Sequence, residues 1–248
     1  MTSIAEPLIA TDRYTLHLAF EPAQVKAAQR LRFEVFNLEM GEGLANSSAT
    51  GLDQDEFDAV CEHLLVIETA TGNVVGTYRM QTGANAAANL GYYSAREFDF
   101  HPFEAARDQI VELGRACVAV AHRNQSVLGL LWKGIARYAQ SRQARYLVGC
   151  SSLTSQDPAW GLAAYNQLAG RHLAPPEWRT VPLAQWRCHA DVHAHEAVPV
   201  PRLMSAYLGV GAKICGEPAI DREFGTIDFL TWLDLQAMPA KVLRKFMG

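Results

Sequence analysis

Two charged residues on one predicted strand are the first candidates for chemistry. Glu112 and Arg115 interrupt the β-branched, apolar run of residues 110–118, and strand periodicity would place them on opposite faces. A helix is predicted to begin near Ser126, so a short turn follows the strand. The N–H groups and positive dipole end of that helix could hold a phosphate. A carboxylate beside such a turn suggests acyl or phosphoryl transfer.

Other charged residues of the N-terminal part have two interpretations each. Arg32 and Phe36 are one helical turn apart and share a face, which is either a packed edge or the wall of a site; packing is favoured. Arg79 lies in an apolar strand and needs a partner, either a structural acid or a bound carboxylate. The run Leu52–Asp58 has four acids, typical of a solvated face or helix N-terminus, though it could bind a cationic amine.

A proline-rich excursion at residues 174–201 contains an alternating set of potential zinc ligands: His189, Asp191, His193 and His195. Structural zinc prefers spacings that wrap the metal, so a polar loop is favoured and no metal site is predicted.

The elements that must position these residues follow from periodicity. We predict a helix from Pro22 that ends at Gly41 or Gly43, and a hairpin turning at residues 71–73. Residues 82–109 have no clear period. Further strands are predicted at residues 14–20, 146–151, 213–220 and 226–234, and helices at 126–139, 157–172 and 201–210. This order predicts an α/β fold, a curved mixed sheet flanked by helices.

Length and composition limit the remaining choices. The chain has 248 residues, 49% of them apolar, and is predicted to form a single domain, 1–248, with a loose leader at residues 1–11. Five scattered cysteines indicate no disulfide framework and fit a reducing cytoplasm. A net charge of −4 disfavours nonspecific nucleic-acid binding. No window is apolar enough to predict a membrane span. The amphipathic tail at residues 240–247 could touch a membrane surface, but packing is favoured.

Several motifs taken together carry a family resemblance. They are Leu31-Arg-Phe-Glu-Val-Phe36, Asp55-Glu-Phe-Asp58, His63-Leu-Leu-Val66, Val75-Gly-Thr-Tyr-Arg79, Tyr93-Ser-Ala-Arg-Glu-Phe98, Glu112-Leu-Gly-Arg115 and the segment Lys213–Gly225. The chain resembles the ornithine lipid acyltransferases, often labelled hemolysin-like, which are related to acyl-homoserine-lactone and N-acyl amino acid synthases in the GNAT superfamily. The resemblance covers roughly residues 14–234 but not the histidine-rich loop.

The resemblance implies a GNAT-like fold and transfer of a long or 3-hydroxy fatty acyl group from acyl carrier protein to the α-amine of an amino acid, typically ornithine. By analogy with acyl-homoserine-lactone synthases, the acceptor end of the cleft would be formed by Arg32, Phe36, Asp55, Asp58, Arg79, Glu112 and Arg115. Glu112 would be the base that deprotonates the amine, directly or through water, and Tyr165 could protonate the leaving thiolate. The alternative for Glu112 is an ion pair with Arg115 or Arg79.

The donor side depends on the turn before the second predicted helix. Acetyl-CoA-binding relatives have glycines there, whereas residues 123–128 have none, so side chains should hinder the approach of a CoA pyrophosphate. A carrier-protein donor is therefore favoured, with acyl-CoA kept open and no other cofactor implied. Backbone N–H groups near Cys117 or Val118 would polarise the carbonyl. The candidate donor-binding residues are Val118, Arg123, Asn124, Ser126, Val127, Lys133 and Arg137.

Another catalytic route and two other functions also remain compatible with the sequence. An acyl-cysteine route through Cys117 or Cys150 is less favoured than direct attack, because buried cysteines usually act as small apolar residues. A signal synthase using S-adenosylmethionine would release a lactone instead of an N-acyl amino acid. A noncatalytic lipid-binding or membrane-lytic protein would need an exposed apolar helix, and only the short tail resembles one.

Overall fold

The computed structural model describes residues 6–190, 197–240, 242 and 244. These residues form two compact units. The first contains residues 6–81, 113–143 and 244, and the second contains residues 82–112, 144–190, 197–240 and 242. The single domain stays a prediction.

The first unit is built on an antiparallel meander. Its strands are β1 (Ile9–Ala10), β2 (Tyr14–Leu18), β3 (Glu62–Glu68) and β4 (Val74–Thr82). In the β3–β4 hairpin, His63 lies opposite Arg79, and the predicted turn contains Gly72 at φ 72°. The prediction of a loose leader is wrong for Ile9 and Ala10, because both pair with β2. A strand of only two residues is too short to show periodicity in a sequence.

Three helices and one strand complete the first unit. They are α1 (Pro22–Phe33), α2 (Ser47–Thr50), β5 (Ile110–Val118), of which residues 113–118 belong here, and α4 (Gln125–Ser141). Helix α1 continues as a π-helical segment, Glu34–Met40, that ends at Gly41 with φ 69°. The predicted helix end at Gly41 is confirmed, whereas the π geometry was not predicted. Helix α4 packs closely on β2 and β3, and a Cβ on Gly134 would lie 2.6 Å from a methyl group of Leu64.

The second unit contains a mixed sheet. Its strands are residues 110–112 of β5, then β6 (Tyr146–Leu153), β7 (Lys213–Ile214), β8 (Ala219–Asp221) and β9 (Thr226–Asp234). Strand β5 runs parallel to β6 from Ile110 to Glu112, and β9 runs antiparallel to β6 along its whole length. The predicted helices are confirmed as α5 (Pro158–His172) and α6 (Arg202–Gly209).

The segment at residues 82–109 is more regular than its sequence suggests. It contains helix α3 (Gly83–Ala88) and the 3₁₀ helices Ser94–Arg96 and His101–Gln109. Four of its aromatic residues, Tyr92, Phe98, Phe100 and Phe103, are buried, whereas Tyr93 is half-buried. The four buried residues form a core with strand residues, listed here as Tyr92, Phe98, Phe100, Phe103, Tyr146, Val148, Leu230 and Trp232. None of the helices in the described part of the chain is both long and apolar enough to cross a membrane.

A close backbone contact in this unit allows a stability prediction. A Cβ on Gly83 would lie 2.1 Å from the carbonyl oxygen of Arg107 and 2.4 Å from the Tyr92 hydroxyl. We expect Gly83→Ala to lower the free energy of unfolding by about 1–3 kcal/mol or more, because the backbone must shift. Gly170→Ala in α5 is the matched control, since nothing lies within 4 Å of its Cβ. Urea unfolding with equal midpoints for the two variants would contradict this packing.

Candidate active site

The first unit contains a buried network of three arginines and three aspartates. Helix α1, the segment before β3, and strands β4 and β5 contribute to it. Its members are Arg32, Asp53, Asp55, Asp58, Arg79 and Arg115. Five of these were predicted as acceptor-site residues, and the structure brings all five together. Asp53 was missed, although it alternates with Asp55 in the acidic run and could have been found from that spacing.

Arg32 is at the centre of this network and is completely buried. Its terminal nitrogens donate to both carboxylate oxygens of Asp58, at 2.9 and 2.7 Å, in a bidentate pair. Its Nε lies 2.7 Å from Asp53 Oδ1, and one terminal nitrogen also donates to the Asp53 carbonyl. The interpretation of this helix face as packing is confirmed in part. The face is buried, but Arg32 contacts its neighbours through ion pairs and hydrogen bonds.

Arg79 and Arg115 extend the network across the strands. Arg79 Nη1 donates to Asp55 Oδ1 at 2.5 Å and to Asp58 Oδ1 at 3.0 Å. Arg115 Nη2 donates to Asp55 Oδ2 at 3.1 Å. Arg115 has φ 49°, a conformation that is uncommon for a residue with a side chain and that interrupts the regular extended geometry of β5.

The arginines keep the acids ionised. Burial alone would raise the pKa of Asp58, but hydrogen bonds and charge from Arg32 and Arg79 hold it far below its usual value. The pKa of Asp55 is likewise lowered by Arg79 and Arg115 against the effect of burial. Because Asp55 and Asp58 are each bound to arginines, a cationic amine would have to compete with these ion pairs. The network therefore holds α1, β4 and residue 115 of β5 together. Acceptor binding by these residues stays a prediction.

Phe36 lies in the π-helical segment and is buried. Its carbonyl accepts from the N–H groups of Gly41 and Glu42, which closes the end of that segment. The structure therefore places Phe36 in packing at the end of the helix that carries Arg32.

His63 lies beside the network and should make stability depend on pH. Its Nε2 is 3.1 Å from the Asp58 carbonyl oxygen, and burial lowers the pKa of His63 against the raising effect of Asp58. The folded protein therefore binds a proton there less readily than the unfolded chain, whose histidine titrates near about 6.5. Stability from this group is complete above that pH and is lost as the pH falls toward the lowered folded value.

We therefore expect the contribution of His63 to the free energy of unfolding to fall as the pH drops below about 6.5. His63→Gln should flatten this part of the curve, whereas the exposed His101→Gln should leave it unchanged. Urea unfolding at several pH values measures the slope. The same slope in His63→Gln and in the parent would exclude His63 as its source.

Glu112, the predicted base, lies in the second unit at the last residue of β5 that pairs with β6. Its two carboxylate oxygens accept from the backbone N–H groups of Tyr93 and Ser94, at 2.9 and 2.8 Å. The side chain is only 4% exposed. Two aligned N–H donors fix the carboxylate in one orientation, which is a requirement for a general base. Its catalytic role stays a prediction.

Tyr165, the predicted proton donor, lies on α5 and packs against a core that includes Leu153, Ile227 and Phe229. Glu112 pairs with Val148 on β6. Val148 and Leu153 are an odd number of residues apart on this strand, so their side chains project from opposite faces of the sheet. The structure therefore places Tyr165 and Glu112 over opposite faces of the sheet of the second unit. It does not bring the two predicted catalytic residues together.

The acyl-cysteine route is disfavoured by the environment of both thiols. Burial raises the pKa of Cys117 and the pKa of Cys150 far above the usual value of a thiol. Because the thiolate is the nucleophile, neither group is activated for attack. This agrees with the expectation that both act as small buried side chains.

The side chain of Asn124, in the turn before α4, caps the N-terminus of that helix. Asn124 Oδ1 accepts from the N–H groups of Ser126 and Val127, at 3.0 and 3.1 Å. The expectation of unpaired N–H groups is therefore wrong for these two residues, because an asparagine at the N-cap satisfies them. A donor phosphate at this position would have to displace the Asn124 carboxamide. Val118, the last residue of β5, is half-buried before this turn.

Three of the candidate donor-binding residues are basic and could form a docking face for a carrier protein: Arg123, Lys133 and Arg137. Two of them already have partners within this chain. Arg123 forms a bidentate pair with Glu39, at 2.5 and 2.7 Å, and its Nε donates to the Val118 carbonyl at 3.1 Å. Arg137 is exposed and donates to the Leu8 carbonyl. Lys133 is half-buried one turn before Arg137, as predicted. Docking of a carrier protein on this face stays a prediction.

The structure groups three other potential ligands that sequence reasoning did not connect. Atoms of Glu97, Cys150 and Asp228 lie within 4.8 Å of one another. They come from distant parts of the chain, so no spacing in the sequence could have indicated them. Of the predicted histidine set, His189 is exposed, whereas Asp191, His193 and His195 lie outside the described residues.

Comparisons with known proteins place these features in context. Residues 31–133 match a family model described as an acetyltransferase (GNAT) domain. An L-ornithine N(alpha)-acyltransferase of Brucella abortus is 32% identical over 243 residues, which cover 92% of this chain and 86% of that protein. One of Rhodobacter capsulatus is also 32% identical, over 241 residues and 92% of each chain.

Solved structures agree on the fold. TofI, in a ternary complex with an inhibitor and MTA, superposes with a TM-score of 0.54 at 18% identity and covers 94% of this chain and 96% of its own. FeeM, an N-acyl amino acid synthase from uncultured soil microbes, has a TM-score of 0.53 at 11% identity and covers 91% and 92%. The predicted GNAT-like α/β fold, with a mixed open sheet flanked by helices, is confirmed.

Proposed function

Because this chain belongs to the L-ornithine N(alpha)-acyltransferase family, we propose that it transfers a long or 3-hydroxy fatty acyl group from acyl carrier protein to the α-amine of ornithine. The observation that carries this proposal is the 32% identity across 92% of the chain. The carboxylate of Glu112, which two backbone N–H groups hold in one orientation, supports the proposal. An amino acid amine is mostly protonated at neutral pH, and attack on a thioester requires its deprotonation.

Glu112 takes a proton from the α-ammonium group, directly or through water. The amine nitrogen then attacks the thioester carbonyl, an N–C bond forms, the C–S bond breaks, and the second proton that the nitrogen loses passes to the departing sulfur. The thiolate leaves on the pantetheine arm of the donor and needs little assistance, because thiols have a low pKa compared with alcohols. The products are an N-acyl amino acid and the free carrier protein, and no acyl-enzyme intermediate is required.

The arginine–aspartate network supports this reaction by holding elements in place. It fixes α1 to β4 and to residue 115 of β5, three residues beyond Glu112. We assign it the role of holding these elements of the first unit rigid.

The donor is proposed to be protein-bound because of the turn before α4. It has no glycine among residues 123–128, and its N–H groups at Ser126 and Val127 are already bound by Asn124. A CoA pyrophosphate needs close approach to such groups, whereas the pantetheine of a carrier protein brings a single phosphate. The acidic chain as a whole would repel an acidic carrier protein, so docking needs a local basic surface.

A charge reversal on α4 tests the donor. We expect Lys133→Glu with Arg137→Glu to slow turnover with acyl carrier protein at low salt by about tenfold or more, with turnover of a small acyl-pantetheine thioester unchanged. The parent should lose turnover steeply with added salt on the protein donor alone. Glu104→Gln is a control on an exposed acid of the second unit. Equal use of the carrier protein by parent and double variant would show that the donor docks elsewhere.

The proposed function itself is tested by product identification. Purified protein is incubated with a panel of acyl carrier protein thioesters and amino acids, and the products are identified by mass spectrometry. N-acylornithine is expected. A lactone formed only with S-adenosylmethionine would instead indicate a signal synthase, and no acylated product with any pair would refute the proposal.

A further inference from the structure

We propose that Glu97 and Asp228 form the subsite for the side-chain ammonium group of the acceptor, so that the enzyme selects a diamino acid. This inference rests on the proposed function. Asp55 and Asp58, the acids expected to attract a cationic substrate, are bound to arginines. An acceptor with a second ammonium group needs another buried acid to be distinguished from an uncharged amino acid.

Glu97 and Asp228 are deeply buried, at 2% and 5% exposure, and their oxygens lie within 4.8 Å of one another and of the Cys150 sulfur. Oδ1 of Asp228 has no hydrogen-bond partner within the described part of the chain. A buried carboxylate oxygen without a donor is costly, and native structures usually supply a partner. An ammonium group, with three N–H donors, would satisfy it.

The electrostatic environment of Asp228 favours the same ligand. Burial, followed by the charge of the neighbouring Asp221, raises the pKa of Asp228 to about 6, although hydrogen bonds with Ser152, Thr226 and Glu97 oppose this. None of these four neighbours is cationic. A bound cation would favour the ionised form of Asp228 and release its proton.

Strand register places this pair on the same face as the proposed base. Glu112 is registered with Val148, and Asp228 is registered with Ser152. Val148, Cys150 and Ser152 occupy every second position of β6, so their side chains and those of their paired residues project from one face of the sheet. Cys150 lies between them and is affected by the charges of Glu97, Asp228 and Glu112.

The distances along the strand fit an ornithine-sized molecule. Two residues of a strand span about 7 Å, so Cys150 is one such step from the position opposite Glu112. The side chain of ornithine has three methylene groups between its α-carbon and its terminal nitrogen. With the α-amine at Glu112, the terminal ammonium group can reach the acids around Cys150. The shared neighbour Ser94 donates its N–H to Glu112 and bonds through its side chain to the Cys150 thiol.

The test compares ornithine with norleucine, which replaces the terminal ammonium group by a methyl group. We expect the parent to prefer ornithine strongly in kcat/KM. Asp228→Asn should reduce that preference by about 10- to 150-fold, the loss typical of one hydrogen bond to a charged group, with little change for norleucine. Asp234→Asn is the matched control on the same strand, since Asp234 pairs with Arg145 at 2.7 Å. Glu97→Gln should repeat the effect of Asp228→Asn.

A binding measurement on the parent keeps the test independent of the variants. Calorimetry near pH 6 in buffers of different ionisation enthalpy should show proton release when ornithine binds and less release when norleucine binds. Equal proton release for the two ligands, or an unchanged ornithine preference in a folded Asp228→Asn, would overturn the subsite. A metal ion bound stoichiometrically in the parent and lost in Asp228→Asn would also overturn it. If the parent acylates neither amino acid, the proposed function fails instead.

Discussion

Arg32→Met should lower the free energy of unfolding by about 3–5 kcal/mol, because it leaves Asp58 and Asp53 buried beside one fewer positive charge. Methionine can fill much of the volume of the arginine stem, so the loss is mainly electrostatic. Removing one partner of a buried ion pair costs far more than the pair contributes over an apolar replacement. The network should therefore be required for folding, even though it need not be a source of net stability.

Arg30→Met is the matched control, since Arg30 is on the same helix and exposed. Its effect should be within about 0.5 kcal/mol of zero. Urea unfolding, followed by circular dichroism, measures both variants. If Arg32→Met and Arg30→Met unfold at the same urea concentration, the buried network does not brace the first unit.

Glu112→Gln should lower kcat by about 10²- to 10⁴-fold, the range typical of losing a general base. The amide keeps the approximate shape of the carboxylate but has no basicity, and its NH₂ group cannot accept from one of the two backbone donors at residues 93 and 94. Single-turnover kinetics with a saturating donor isolate the chemical step, and the pH dependence of kcat should differ from that of the parent.

Donor affinity should be nearly unchanged in this variant, because the prediction concerns proton removal from the acceptor. The exposed Glu217→Gln controls for a general change in charge. Near-normal turnover with an unchanged pH profile would remove Glu112 from the mechanism.

The sequence predicted well what depends on local pattern. Glycines at positions 41 and 72 and prolines at positions 22 and 158 set the limits of helices and of the hairpin, because their backbone restrictions act locally. The strand at residues 110–118 and the helix after it were predicted from apolar period alone.

What could not be predicted depends on pairing between distant residues. Glu97 and Asp228 meet because residue 97 lies beside strands whose register only the folded sheet defines. The cap by Asn124 required knowing which amide its side chain would accept from. The burial of Arg32 depended on two aspartates, Asp53 and Asp58, that its own helix does not carry.

The most direct test of the account is an isotope competition. Purified protein is given ornithine labelled with ¹⁵N at the α position, together with equal amounts of a 3-hydroxyacyl carrier protein and the same acyl group, ¹³C-labelled, on CoA. Mass spectrometry with fragmentation then reads both the acylated nitrogen and the source of the acyl group. We predict a product acylated on the α-nitrogen with its acyl group mainly from the carrier protein. A product acylated on the terminal nitrogen, or one carrying mainly the ¹³C acyl group from CoA, would contradict the account.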